Sequence, residues 1–290
     1  MKKLRYPGMV IGSTIIYGTI PTLMKLTFPY GGNGILSTLY TCLFALPVLY
    51  LWMRKEKVSL RVSPEIARKL LILSLGTCPT SIMLYLSYSY LPVGMATTLH
   101  FIYPAAAAVY LFVFYHEHFS LVNLLALVMA FAGVICLSVS HLAGGSVVGM
   151  VLAVGSGLTW AFYIVYLDRS GLTNMPPCQL NFYMALANCV VSAVLSVIMG
   201  KFAIYSSVFI WPVVVATGIL QRVIANALFQ TGLSGTKAFT TSILSTFEPL
   251  TSLFVGALFL NESLTAVQLV GTAMILGAIL LNLLPGRRAS

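Results

Sequence analysis

The chain alternates from end to end between long apolar runs and short polar breaks. The runs are about 20 residues long, the length that an α-helix needs to cross the hydrocarbon core of a bilayer. We expect ten transmembrane helices, at 8–28, 33–53, 68–87, 93–114, 120–139, 147–167, 179–199, 210–231, 238–260 and 265–284. The breaks are short, so consecutive helices should run antiparallel and leave no room for a soluble domain.

The composition points to the same class of protein. Of the 290 residues, 59% are hydrophobic and only 8% are charged, whereas a soluble domain carries about 25% charged residues. Too few charges remain to cover a water-facing surface. The predicted fold class is therefore an all-α integral membrane protein whose surroundings are the lipid bilayer.

The net charge of +10 predicts an orientation and not a nucleic-acid partner, because the basic residues lie in short loops and at the chain ends. With the N-terminus in the cytoplasm, 13 of the 16 Lys and Arg residues fall on the cytoplasmic side and only Lys201 falls outside. Lys25 and Arg222 fall within spans. Cytoplasmic loops carry the excess of basic residues, so both termini are expected in the cytoplasm and the protein in the plasma (bacterial inner) membrane.

An internal repeat divides the chain. Residues 94–137 align without gaps with 239–282, at an offset of 145 residues, and Pro104 falls on Pro249. Only seven positions are identical, so we infer the repeat from the structurally important positions that match and not from the number of identities.

The repeat predicts two copies of five helices, residues 1–140 and 141–290. Because five is odd, the second copy must be inverted in the membrane relative to the first. Inverted repeats are typical of carriers that alternate between inward-open and outward-open states around a central site.

The segments that follow the two prolines carry a second shared pattern. Pro104 is followed by Glu117-His118-Phe119-Ser120, and Pro249 by the stretch 261–265 with Glu262. With ten helices and this length, the whole chain resembles the drug/metabolite transporter superfamily, EamA-domain branch, although a small residue usually stands at the position of His116. The resemblance implies a secondary carrier, often an exporter of amino acids or other small metabolites, with its cavity among helices 1–4 and 6–9.

Polar and aromatic residues inside the spans indicate where a solute would bind, because intramembrane charges are costly and usually face the protein interior. Aromatic walls with a few polar groups suit a small amphipathic solute and can hold an ammonium group. The candidates for substrate binding are Tyr17, Lys25, Tyr85, Tyr88, His100, Tyr103, Trp160, Tyr163, Arg222, Asn226, Gln230, Ser245 and Glu248.

The charges among these candidates suggest roles. The spans contain two cations, Lys25 and Arg222, but only one acid, Glu248. This excess of positive charge leaves a place for a solute carboxylate near Arg222. Asn226 and Gln230 follow Arg222 at intervals of four residues and should share its helix face. Glu248 is the candidate for proton coupling.

Three prolines are expected to break or hinge their helices: Pro21, Pro104 and Pro249. A proline within a helix removes one backbone donor, so Pro249 should free the carbonyl of Ser245. Irregular backbone at membrane depth is tolerated where protein or a water-lined cavity satisfies it.

Several alternatives stay open at this point. Glu248 could form a fixed ion pair with Arg222 or Lys25, Lys25 could extend to the headgroups, and His100 could simply pack. The solute could be another metabolite or an amphipathic drug. No cofactor, metal or nucleotide site is evident, an intramembrane enzyme or a channel is a distant alternative, and a monomer and a homodimer are both compatible with the sequence.

Overall fold

The computed structural model describes residues 2–138, 146–259 and 265–283. These residues form α-helices joined by short turns, and no strand occurs among them. The helices are α1 (Lys2–Lys25), α2 (Gly34–Lys55), α3 (Pro64–Ser87), α4 (Val93–His100), α5 (Tyr103–Tyr115), α6 (Leu121–Ser138), α7 (Val147–Arg169), α8 (Pro177–Ile198), α9 (Trp211–Gly218), α10 (Asn226–Thr236), α11 (Ala238–Leu244), α12 (Phe247–Phe259) and α13 (Ala266–Leu283).

Each run predicted to be a transmembrane helix contains helix, but three of the runs are interrupted. The run 93–114 divides into α4 and α5, and 238–260 divides into α11 and α12. The run 210–231 contains α9, a π-helical segment at Ile219–Ala225, and α10. Seven helical stretches in the described part of the chain are long and apolar enough to cross a membrane.

Two of the three predicted helix breaks are present. Pro104 and Pro249 each lie in the first turn of a restarted helix, α5 and α12, where a missing N–H costs little. The carbonyl of Ser245 is not free as predicted, because it accepts the N–H of Glu248 at 3.1 Å. No break is present at Pro21, because α1 continues through it to Lys25; neighbouring protein can support a helix that lacks one hydrogen bond. A hinge at Pro21 stays a prediction.

Helices α6 and α13 pack against each other at very short range. A Cβ atom on Gly133 would lie 2.8 Å from the carbonyl oxygen of Gly271, and one on Gly271 would lie 2.7 Å from that of Gly133. Fully buried Ala130 and Ala278 continue the small-residue surfaces. Small residues are the usual means by which membrane helices approach closely.

The remaining long helices pack in pairs around a central space. Helix α2 packs against α8, α3 against α7, and α1 against α10, while α5 contacts α7 and α12 contacts α1. The restarted helices α5 and α12 therefore each lie against one of the helices that surround the centre. This arrangement places the broken helix ends beside the cavity described next.

Candidate functional site

A cavity of about 80 Å³ lies between the helices, several times the roughly 10–15 Å³ that one water molecule requires. Its wall combines hydroxyl, amide, charged and aromatic side chains from six of the ten predicted spans. The residues that line it are Tyr17, Ile20, Pro21, Thr77, Thr80, Ser81, Leu84, Tyr85, Tyr88, His100, Tyr103, Trp160, Tyr163, Met184, Gln221, Arg222, Asn226, Phe229, Ser245 and Glu248. The space suits a small polar solute.

Arg222 is the cation of this cavity and is only 4% exposed. Its two terminal nitrogens donate to the hydroxyl of Ser81 at 3.3 and 3.4 Å, and its Nε has no hydrogen-bond partner. Among the carboxylates that the structure describes, none forms an ion pair with it. A guanidinium has five N–H donors, so most of its capacity for binding an anion is unused.

The helix carrying Arg222 is wider than an α-helix at this point, because Ile219–Ala225 is π-helical. Such segments are rare and occur frequently at functional sites. In an α-helix, adjacent residues point about 100° apart. In this π-helical segment the adjacent residues Gln221 and Arg222 both line the cavity. Gln221 donates from Nε2 to the hydroxyl of Tyr85.

Gln230 does not line the cavity with Arg222 and Asn226, so of the three predicted binding residues on this segment only two reach the space. Gln230 lies further along α10, buried, and its Nε2 donates to the backbone carbonyl of Met175 at 2.9 Å. Asn226 does line the cavity, where its Oδ1 accepts the hydroxyl of Tyr17 at 2.5 Å. Gln230 thus ties α10 to the connection between α7 and α8.

An aromatic cluster forms another part of the wall. The rings of Trp160 and Tyr163 stack with centroids 4.7 Å apart. The rings of Tyr17 and Trp160 lie nearly perpendicular with centroids 6.5 Å apart, and the ring centroid of Phe229 lies 5.5 Å from that of Trp160. The cluster presents π-faces next to hydrogen-bonding groups, an environment that can accommodate both an aliphatic chain and an ammonium group.

His100, at the end of α4, has a defined hydrogen bond. Its Nδ1 lies 2.8 Å from Oγ of Ser156, and that hydroxyl donates to the carbonyl of Ala153 at 2.6 Å. The hydroxyl hydrogen is thus used, so Nδ1 of His100 must be the donor. Gly157 allows this approach, because a Cβ there would lie 2.4 Å from the carbonyl oxygen of His100.

Glu248 lies in the first turn of α12 and lines the cavity. The open alternative of a fixed ion pair with Arg222 or Lys25 is not realised among the described residues. Helix α1 approaches this point closely, because a Cβ on Gly18 would lie 2.7 Å from the carbonyl oxygen of Glu248. Glu248 is therefore an acid in the cavity wall without a basic partner in the described structure.

Lys25 does not belong to the cavity. It is the last residue of α1 and is exposed, which favours the alternative that its amine extends to the headgroups. The other predicted binding residues, apart from Gln230, line the cavity. Of the three prolines only Pro21 does so.

The sequence reasoning missed several polar members of the wall: Thr77, Thr80, Ser81 and Gln221. The first three had a readable signal, because they recur at intervals of three and four residues and continue into Tyr85 on one face of α3 and into Tyr88 directly after its end. Thr80 bonds to Thr159 at 2.7 Å and thereby ties α3 to α7. Gln221 had no such signal, since a π-helical segment is not encoded in a simple periodicity.

A second polar group lies away from the cavity, where α7 ends and α11 begins. The side chain of Asp168 is only 2% exposed and accepts the N–H of Ala238 at 3.1 Å. Lys237 and Arg169 lie 3.8 and 3.7 Å from its carboxylate, and Arg169 also pairs with Glu117. We call Asp168, Arg169, Glu117, Lys237 and Ala238 the basic-end network.

Comparison with known proteins identifies a family that matches most of the chain. The model of the EamA-like transporter family matches residues 6–139 and again 147–284. The threonine/homoserine exporter RhtA of Escherichia coli K12 is 27% identical over 239 residues, which is 80% of this chain and 76% of that protein.

Two further matches bear on the fold. The uncharacterized transporter YvbV of Bacillus subtilis is 27% identical over 199 residues, 67% of this chain and 64% of that protein, so the match falls short of that relative's full length. A solved crystal structure superposes with a TM-score of 0.78 over 95% of both chains at 18% identity. At that identity the likeness establishes the fold alone.

Proposed function

Because the chain belongs to the EamA-like transporter family, we propose that it is a secondary carrier that exports a small carboxylate-bearing solute, an amino acid or a close analogue. The family makes the protein a transporter and not an enzyme. Its apolar helices and transporter relatives make it a multi-pass protein of the plasma membrane. Substrate class, direction and mechanism are the proposal.

The observation that carries the proposal is the state of Arg222. A buried charge is stable only when it is paired or hydrogen-bonded, yet Arg222 has one serine hydroxyl and no carboxylate among the described residues. A solute carboxylate would supply the missing acceptors, and its pairing with a guanidinium can be bidentate. The similarity to an exporter of threonine and homoserine supports an amino acid as the solute that carries this carboxylate.

Alternating access by two inverted repeats is the proposed mechanism. At the offset of 145 residues, α6 (Leu121–Ser138) falls on α13 (Ala266–Leu283), and the break after α4 falls on the break after α11. The family model also matches twice. These correspondences support copies at 1–140 and 141–290.

The helix contacts support the same symmetry. Exchanging the two copies converts the α3–α7 contact into the α10–α1 contact, and α5–α7 into α12–α1. The contacts of α2 with α8 and of α6 with α13 convert into themselves. This is the pattern that a pseudo-two-fold axis in the membrane plane would produce.

The orientation completes the proposal, with ten spans and both termini in the cytoplasm. It is supported by the 13 cytoplasmic basic residues against one outside. The basic-end network would then lie at the cytoplasmic end of the helices, and export would carry the solute from that end outward.

Glu248 is the proposed proton-coupling group. It is an acid in the wall of the cavity, at the start of a restarted helix, and no cation pairs with it in the described structure. An unpaired acid at this depth can bind and release a proton as access alternates. In proteoliposomes, Glu248→Gln should retain solute exchange but lose accumulation driven by a pH gradient; intact accumulation would place the coupling elsewhere.

The proposal as a whole is tested by counterflow in proteoliposomes, with a panel of labelled amino acids and with or without a pH gradient. We expect saturable exchange of one amino-acid class, abolished in Arg222→Gln. The matched control is Lys25→Gln, which also removes a cation but one that is exposed at the end of α1. Exchange of no amino acid, or equal loss in both variants, would contradict the proposal and direct the search to other metabolites or amphipathic drugs.

A further inference from the structure

Four polar atoms in side chains that line the cavity are buried without a hydrogen-bond partner: Nε of Arg222, the hydroxyl of Tyr103, Oε1 of Gln221 and the hydroxyl of Tyr88. Arg222 is already assigned to the proposed carboxylate, and of the other three residues Gln221 and Tyr88 share a neighbour, Tyr85. The two residues are only 9% and 5% exposed, and both line the cavity. The great majority of buried side-chain polar atoms have partners, so each exception needs an explanation. A missing ligand that enters the cavity is one.

Gln221 and Tyr88 both lie next to Tyr85, and we call this part of the wall the Tyr85 corner. The amide nitrogen of Gln221 already donates to the hydroxyl of Tyr85, and the rings of Tyr85 and Tyr88 lie 5.9 Å apart. With its nitrogen engaged, Gln221 presents its oxygen as an acceptor. Gln221 is also the neighbour of Arg222 in the π-helical segment, so this corner adjoins the proposed carboxylate position.

We propose that Gln221 and Tyr88 form a subsite for a hydroxyl group on the solute's side chain. An amide oxygen can only accept, whereas a phenol can donate, and an aliphatic hydroxyl can do both at once. One solute hydroxyl can therefore donate to Oε1 of Gln221 and accept from Tyr88. The subsite rests on the proposed function, because the carboxylate at Arg222 holds the solute beside it, and it selects a small hydroxyl-bearing amino acid.

The subsite should distinguish a solute with a hydroxyl group from one with a methyl group in its place. A solute in which a methyl group replaces the hydroxyl has almost the same volume but leaves both wall atoms unpaired. Sites built to bond a hydroxyl reject such analogues far more strongly than apolar pockets reject an added hydroxyl. Threonine and valine are such a pair, and both carry the carboxylate and the ammonium group.

The test is counterflow of labelled threonine and labelled valine by the full chain in proteoliposomes. We expect a KM for threonine at least about tenfold below that for valine, the size expected when a buried hydrogen bond is lost. Gln221→Met and Tyr88→Phe should each raise the threonine KM about tenfold without raising the valine KM, so that the preference for threonine over valine is largely lost. The control Tyr90→Phe removes a hydroxyl from an exposed tyrosine outside the cavity lining and should change neither.

The outcomes separate this subsite from the proposed carrier. Equal KM values for threonine and valine in the natural chain would overturn the subsite and leave an amino-acid carrier intact. Variants that impair both solutes alike would show a structural role and also overturn it. Absence of exchange for every amino acid would overturn the proposed function and the subsite together. Because Gln221 and Tyr88 belong to different spans, misfolding of one variant leaves the other as the test.

Discussion

The buried charge of the basic-end network has its partners within the protein, whereas the buried cation of the central cavity lacks an acidic partner among the described residues. The side chain of Asp168 is almost wholly buried and has a backbone N–H and two cations around it. Arg222 is equally buried, yet its only side-chain partner in the described structure is the hydroxyl of Ser81. A charge whose partners are all present in the protein serves the fold, whereas a charge that lacks them has capacity for a ligand. The contrast separates structural from functional polar residues within one bilayer-spanning protein.

Removing the buried carboxylate of the network should have the largest effect on stability. Asp168→Ala leaves the N–H of Ala238 unpaired at the start of α11 and removes the partner of Lys237. The lost charged hydrogen bonds and helix cap should lower the free energy of unfolding by about 2–4 kcal/mol. Unfolding in mixed micelles measures the loss. Asp168→Asn, which keeps an acceptor for Ala238, should lose less, and an Asp168→Ala protein as stable as the natural chain would contradict the structural role.

Removing the buried charge of the cavity should not lower the free energy of unfolding. Arg222→Gln removes a buried charge that lacks an acidic partner among the described residues, so the free energy of unfolding should stay the same or rise by about 1 kcal/mol. Transport should nevertheless be lost. A destabilisation as large as that of Asp168→Ala would show that Arg222 serves the fold, and the comparison between the two regions would fail.

The smallest effect is expected at the exposed edge of the network. The side chains of Glu117 and Arg169 are 39% and 34% exposed where they pair, and exposed ion pairs contribute about 0–1 kcal/mol. Glu117→Gln should therefore change the free energy of unfolding by less than about 1 kcal/mol and leave counterflow unchanged. A loss comparable to that of Asp168→Ala would place the centre of the network at Glu117.

The sequence predicted the helices and most of the cavity wall, because both follow from the cost of polar groups in lipid. Arg222, Glu248 and His100 stand out for that reason, and Pro104 and Pro249 mark the restarted helices. Lys25 was misplaced because a charge near a helix end can reach the headgroups, which no periodicity reveals. Glu262, the counterpart of Glu117 in the second repeat, lies outside the described residues.

What the sequence could not supply are the features that depend on tertiary contacts. The π-helical segment brings Gln221 to the cavity, and Gln230 is used instead to bind the carbonyl of Met175. Asp168 was overlooked because its role depends on a distant helix start, at Ala238. Periodicity identifies the face of a single helix but not the neighbour that the face meets.

The most direct test of the central claim, that Arg222 binds a solute carboxylate, changes the protein and the solute together. Competition of counterflow is measured for the best-exchanged amino acid and for its amino alcohol, in which CH₂OH replaces the carboxylate, with the natural chain and with Arg222→Gln. We predict that the natural chain prefers the amino acid by at least about thirtyfold, as expected for a buried charge pair, and that Arg222→Gln removes this preference without weakening the amino alcohol. An equal preference in both proteins would contradict the assignment of Arg222.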